Sequence, residues 1–343
     1  MSRTPLQPAR WDPPEAPALE GRYAPNTALD AVERLTIPDG RGPEDVVVDA
    51  DGRVYTGIED GRILAFDGPG ARPVVVSATY GRPLGIELDA GGHLIVADAY
   101  QGLLRIDPVD GTVEKLVTSF LGRPLKLTNN ATVASSGTIY FTESTDRFDL
   151  AHYKRDLFEH RPSGRVLAYH PDDGQLELIA DGLHFANGVA LAGDESWLAV
   201  CETGEYRITR VWLTGPDAGR KEPLIENLPG FPDNLSHNGA GVFWAPLASR
   251  RQKPLDALLP RPALRKLVDR LPESLQPAPE RYAIVLGVDE DGQVVHNLHG
   301  PSGAYAVITG VREHDGWLYL GSLVEDAVGR VRSGSTRAVS SGP

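Results

Sequence analysis

Cysteine is almost missing from this chain. Cys201 is the single thiol among 343 residues, so no intrachain disulfide can form, and a reducing compartment is the natural setting. Long apolar runs are missing too. Residues 1–21 are polar and Pro-rich, with no apolar h-region, and no stretch is long enough to span a bilayer. Positive charge is scarce. Lys and Arg number 34 against 47 Asp and Glu, a formal net charge of −13, which argues against nucleic acid and anionic membrane surfaces as partners. No Gly-x-Ser-x-Gly elbow is present, so a serine triad has no support. Gly pairs such as Gly91-Gly92 follow strands but open no helix, so there is no dinucleotide fingerprint. Helical spacing is confined to one stretch, Ala263 to Leu271, where Leu264, Leu267, Val268 and Leu271 share a face. These absences lead us to expect a cytoplasmic, mostly β protein acting on a small molecule, with no membrane or nucleic-acid partner and its oligomeric state open.

Short strands and turns fill the remainder. Val46-Val47-Val48 is followed by Asp49-Ala50-Asp51-Gly52, then Val54 to Gly57, then Asp60-Gly61 and Ile63 to Phe66. Asp-Gly between β-rich runs signals a hairpin. The same phrase returns from Pro83, Leu127, Asn187, Asp233 and Val307. A β-sandwich gives no reason for six recurrences, whereas radial blades do. The expected fold is all-β: one six-bladed β-propeller over residues 31–335, with an extended arm at 1–30 and a tail at 336–343. Val32 to Ile37 is the segment expected to close the ring by adding the outer strand of the sixth blade. Two insertions, 146–160 and 250–280, break the rhythm, and the helix in the second is expected to cover one face.

Four units place an oxygen-bearing side chain just ahead of their first strand. These are Glu44 after Gly42-Pro43, Asn129 after Leu127-Thr128, Asn187 after Phe185-Ala186, and Asp233 after Gly230-Phe231-Pro232. Singly, an Asn before Gly is a turn residue and a Glu after Gly-Pro is solvated. The shared placement changes that, because first strands line a propeller's channel and these side chains would converge at its mouth. Calcium takes six to eight hard oxygen ligands, including carboxylates and Asn carbonyls. Two carboxylates balance a dication, and four protein ligands leave room for water and substrate. The lack of Cys and His in this set argues against zinc.

The phrases Gly42-Pro43-Glu44, Tyr80 to Ile86, Val96 to Leu103, Ile139 to Ser144, Phe185 to Val189, Pro229 to Asn234 and Glu313-His314-Asp315-Gly316 resemble, in order, the strictosidine synthase-like family. The match covers about residues 40–332. That family is similar to paraoxonases, gluconolactonases and diisopropyl-fluorophosphatases. The resemblance implies a six-bladed propeller and, for the hydrolases, a calcium ion on the axis. The family's Glu, two Asn and Asp ligands fall on Glu44, Asn129, Asn187 and Asp233, and in paraoxonases the next Asn, here Asn234, also reaches the metal. The expected function is a calcium-dependent hydrolase of lactones or aryl esters, with phosphotriesters as promiscuous substrates and Asp233 as the catalytic residue. The alternatives are a condensation, cyclisation or isomerisation in the same pocket, and a propeller binding module.

Three departures qualify the resemblance. The plant synthases' catalytic Glu has no counterpart in Ala306 to Arg312. Leu84 stands where paraoxonases carry a His before Gly-Ile. Asn129-Asn130 replaces a common Asn-Asp. His184, His314 and Lys126 are secondary candidates near the ligand loops.

Overall fold

Several units begin with an apolar run that would be insoluble as a surface strand. Val46–Val48 and Ala186–Leu191 are buried at every position, whereas the fourth strands Val74–Ala78 and Val113–Val117 are largely exposed. Strands buried on both faces read as continuous apolar runs, and half-exposed ones do not. The gradient therefore orders each sheet from an inner strand outward. A computed structural model describes residues 4–272 and 280–335; the expected tail at 336–343 lies outside the described residues.

Six antiparallel sheets form the six blades. The first four contain Val46 to Ala78, Pro83 to Val117, Thr128 to Leu183 and Ala186 to Ile225, each with its four strands in sequence order. In the fifth, Gly230–Pro232 and Ser236–His237 both pair with Val242–Arg250, followed by Ala283–Asp289 and Val294–Gly300. The sixth takes Ile308–His314, Trp317–Ser322 and Ala327–Arg332 from the end of the chain. Its outer strand is Glu33–Thr36, antiparallel to Ala327–Arg332, as expected. The core lies between blades: Val47, Tyr55 and Ile63 of the first pack on Ile86, Val96 and Leu104 of the second.

Neighbouring inner strands approach closely through three glycines. A Cβ on Gly85 would meet Asn130 Cα at 2.6 Å, one on Gly188 would meet Asn234 Cα at 2.6 Å, and one on Gly310 would meet Asp45 Cα at 2.8 Å. Glycine thus alternates with a polar residue around the channel, and each absent side chain makes room for the next blade's polar one.

The insertions differ from expectation in one respect. The 146–160 segment, read as merely polar and aromatic, also forms a helix, α1 (Tyr153–Glu159). The second insertion holds a short α2 (Lys253–Asp256) and the expected helix as α3 (Pro262–Val268). Phe148 and Phe158 of the first insertion cluster with Leu6 of the N-terminal segment, against Leu255 and Val268 of the second. The two insertions and the leading segment form one roof over one face.

Candidate metal centre

Bulges aim the site. In the third, fourth and sixth blades the inner-strand register shifts between Thr128 and Ala131, Ala186 and Val189, and Ile308 and Gly310. In the fifth the ladder is interrupted between Pro232 and Ser236. A bulge re-aims a side chain and frees it from the pleat. Asn129, Asn187, Thr309 and Asp233 sit in these breaks, and Glu44 lies two residues before its strand begins.

Four of the five expected ligands interact directly, through Asn234 with Glu44, Asn187 with Asp233, and the facing charges of Glu44 and Asp233, while Asn129 is tied through Ser144 to Ala186, the residue before Asn187. Glu44, Asn129, Asn187 and Asn234 are buried and Asp233 is half-buried. Asn234 Nδ2 donates to Glu44 Oε2 at 2.9 Å. Asn129 Nδ2 donates to Ser144 Oγ at 2.8 Å, and Ser144 Oγ donates to Ala186 O. Asn187 Nδ2 donates to Thr203 Oγ1 at 3.2 Å, and Thr203 Oγ1 donates to Pro232 O. Each hydroxyl has spent its proton on a carbonyl and only accepts from the amide, so both amide orientations are fixed. The same holds for Asn234 against a carboxylate.

That leaves three amide oxygens, Asn129 Oδ1, Asn187 Oδ1 and Asn234 Oδ1, buried without a hydrogen-bond partner. An unsatisfied buried acceptor costs about 1–3 kcal/mol. The carboxylates carry a related penalty. Burial, and then the neighbouring Asp233 and Asp45, raise Glu44 well above the carboxylate range, with Arg82 offsetting part of it. Burial pushes Asp233 up to about 7, against a hydrogen bond from Asn187. Three oriented amide oxygens beside two carboxylates whose charge burial penalises fit a hard dication such as calcium.

Residues that the sequence reading passed over hold this set in place. Asp45 Oδ2 accepts from Asn130 Nδ2 and from Ile86 N, both at 3.2 Å, and Asn130 Oδ1 accepts from Val189 N at 2.9 Å. Asn130 therefore bridges three blades. An Asp there would set a second carboxylate against Asp45, which gives the departure from Asn-Asp a physical reason. Burial already pushes Asp45 up to about 6, opposed by the Arg312 guanidinium. Glu143 and Glu202, both buried, accept from the backbone N–H of Lys126 and His184, each three residues ahead of a ligand Asn. The signal was in the sequence: second strands ending in an acid recur as Ala97-Asp98, Thr142-Glu143 and Cys201-Glu202.

Above the ligands lies a cavity of about 160 Å³, with Asp233 and Asn187 on its floor. Phe185, Phe231 and Val307 line it from the blades, and Tyr153, Phe158 and Leu255 from the roof. Val307 has φ of 52°, a strained backbone for a β-branched residue at the wall of a site. Among the described lining residues Asp233 is the one carboxylate, and none is a His. The secondary candidates lie elsewhere. Lys126 is exposed, and His314 stands beside Asp315 in its hairpin. His184 is turned off the cavity toward Glu205, where burial and then His160 push it down to about 4.

Known proteins resemble this chain in sequence and in fold. Family models for strictosidine synthase and for the strictosidine synthase-like N-terminal region match residues 129–216 and 21–66. Adipocyte plasma membrane-associated protein of Salmo salar is 34% identical over 94% of this chain and 83% of its own. Strictosidine synthase-like 10 of Arabidopsis thaliana is 34% identical over 86% of each chain. Among solved structures, a gluconolactonase of Xanthomonas campestris superposes with a TM-score of 0.63 at 20% identity, covering 96% of this chain and 97% of that one. A calcium-binding regucalcin of Agrobacterium tumefaciens gives 0.59 at 13%, covering 87% and 92%. These two share the fold.

Proposed function

The chain belongs to the strictosidine synthase-like family, and we propose that it is a calcium-dependent hydrolase of lactones or aryl esters, with phosphotriesters as promiscuous substrates. The observation that carries this reading is the trio of buried, unpartnered amide oxygens beside two carboxylates, with Asn187 and Asp233 of this set lining an apolar cavity. The lactonase and calcium-binding propellers that share the fold support it. Glu44, Asn129, Asn187, Asp233 and Asn234 would hold the ion. When bound, calcium supplies Lewis-acid polarisation of a carbonyl and stabilises the charge that develops on its oxygen.

The protein's own groups do the rest. Asp233 is the carboxylate that a substrate in the cavity can reach, so it takes the proton from an attacking water, or attacks itself, at its carboxylate oxygen. Thr203 and Ser144 hold the amides so that their oxygens cannot turn away. Phe185, Phe231 and the roof exclude bulk water, which strengthens every electrostatic contact on the floor. Among the described lining residues Asp233 is the one carboxylate, and Val307 is what the 306–312 segment contributes, which weighs against a condensation assisted by a separate acid.

Chelator-stripped protein assayed on a panel of lactones and aryl esters tests the reading. Turnover should vanish on stripping and return with calcium. Hydrolysis that persists at full rate in the metal-free protein would overturn it.

A further inference from the structure

A second convergence of ligand-type side chains lies behind the cavity wall, and the axial site makes no use of it. His160 caps the C-terminus of α1, its backbone left-handed at φ 49°. His184 precedes the fourth blade's inner strand. Glu205 ends the 3-10 turn Thr203–Glu205. His160 Nε2 lies 3.2 Å and His184 Nε2 3.5 Å from the same oxygen, Glu205 Oε1, and one ligand atom from each of the three residues falls within 4.8 Å of the others. A tetrahedral ion bound at about 2.0–2.2 Å spaces its donors roughly 3.3–3.6 Å apart. The other carboxylate oxygen, Oε2, is 3.9 Å from Arg207, which leaves Oε1 to the imidazoles.

The surroundings suit an ion more than a hydrogen-bond cluster. The two imidazole centroids are 4.4 Å apart, and Trp11 stacks on His160 at 4.1 Å, closing the outer side. His184 Nδ1, the ring nitrogen opposite the proposed ligand Nε2, is buried with no partner among the described residues. His160 is buried while His184 and Glu205 remain partly open, which provides an entry path. Two imidazoles and one carboxylate suit a borderline divalent ion, unlike the all-oxygen axial set.

We propose that His160, His184 and Glu205 bind one divalent transition-metal ion of the zinc type, distinct from the axial centre. Binding uses the Nε2 lone pair of each imidazole and one oxygen of Glu205, and leaves the ion four-coordinate with one water. Because His160 ends α1 and carries Trp11, while His184 and Glu205 belong to the fourth blade, the ion clasps the roof and the leading segment to the propeller. Phe185, Gly204 and Tyr206, which line the cavity, are chain neighbours of the ligands, so the clasp fixes one wall of the pocket. The proposal does not depend on the hydrolase reading.

Cobalt(II) and zinc serve as probes on the full chain, stripped with chelator and then saturated with calcium to fill the axial site. One cobalt ion per chain should give the intense visible bands of four-coordinate geometry, and zinc should displace it. Zinc should also slow proteolysis ahead of Trp11. His184→Ala and Glu205→Gln should each weaken binding at least tenfold and abolish the zinc effect on proteolysis, with folding checked by circular dichroism. Asp233→Asn should leave cobalt binding unchanged. Absence of stoichiometric binding by the wild type overturns the proposal, as does wild-type affinity and spectrum in whichever of the two variants folds.

Discussion

The cavity has a floor and a roof built on different principles. The floor comes from inner strands of separate blades, locked by ladder hydrogen bonds and by side chains such as Asn130 that tie three blades together. The roof comes from helices of four to seven residues, too short to be stable alone. It is held by side-chain ties: Arg155 to Asp269 at 2.9 Å and to Thr4 O at 2.8 Å, and Glu159 to Gln7 N at 2.6 Å. The floor is thus over-determined by backbone, while the roof is held by side-chain ties, two inter-segment backbone bonds (Ala9 N to Glu159 O, Trp11 N to Leu259 O) and two apolar clusters, one of which packs Leu150, Tyr153 and Leu157 on the blades. Precise chemistry is placed where the chain cannot shift, and access is controlled where it can.

Substitutions on either side sharpen that contrast. The largest effect should come from Asp233→Asn. If this carboxylate acts on water or substrate, turnover falls at least 100-fold and stays low at saturating calcium, whereas Glu44→Gln weakens calcium binding and recovers when the site is filled. Equal recovery of both variants would reduce Asp233 to a ligand.

A roof group should contribute to the pH dependence of stability. Burial pushes Asp156 of α1 up to about 7, with its bonds to Thr145 and Ser163 opposing. A carboxylic acid raised in the folded state favours folding while protonated. Its contribution is complete below about pH 4 and is lost as pH rises through about 7. The slope approaches 1.4 kcal/mol per unit. Urea melts of wild type and Asp156→Asn should diverge over this window, with the variant flatter; parallel profiles would show that water already reaches the group.

Back on the floor, Asn130→Asp removes the donor to Asp45 and adds a like charge. A loss of about 2–3 kcal/mol is expected, read by urea titration in chelator, and restoration of Asn-Asp without cost would break the account of this position. The smallest effect should follow Leu6→Ala. Loosening the roof cluster should cost about 1–2 kcal/mol of local stability and raise KM a few-fold with kcat held. A fall in kcat instead would mean that roof and floor are mechanically coupled.

How much of this was legible beforehand follows the same division. The six repeats, the closing strand at Glu33–Thr36 and the placement of Glu44, Asn129, Asn187 and Asp233 just ahead of or within an inner strand were readable, because each depends on local pattern: apolar runs, Asp-Gly turns and a polar residue at a fixed place in the phrase. The helix α1 was not, since its buried Arg155, Asp156 and Glu159 blur the apolar stripe by which a helix is recognised.

The sequence by itself determined the number of blades and the kind of atom offered at each inner strand, because strand period and turn chemistry act over a few residues. Only the tertiary structure decided which offers meet. Asn234 reaches Glu44 across 190 residues, Asn130 reaches Asp45 across 85, and the glycines that permit these approaches gain their meaning from a backbone in the next blade. Ring closure, which no local segment encodes, turned separate oxygens into a single centre.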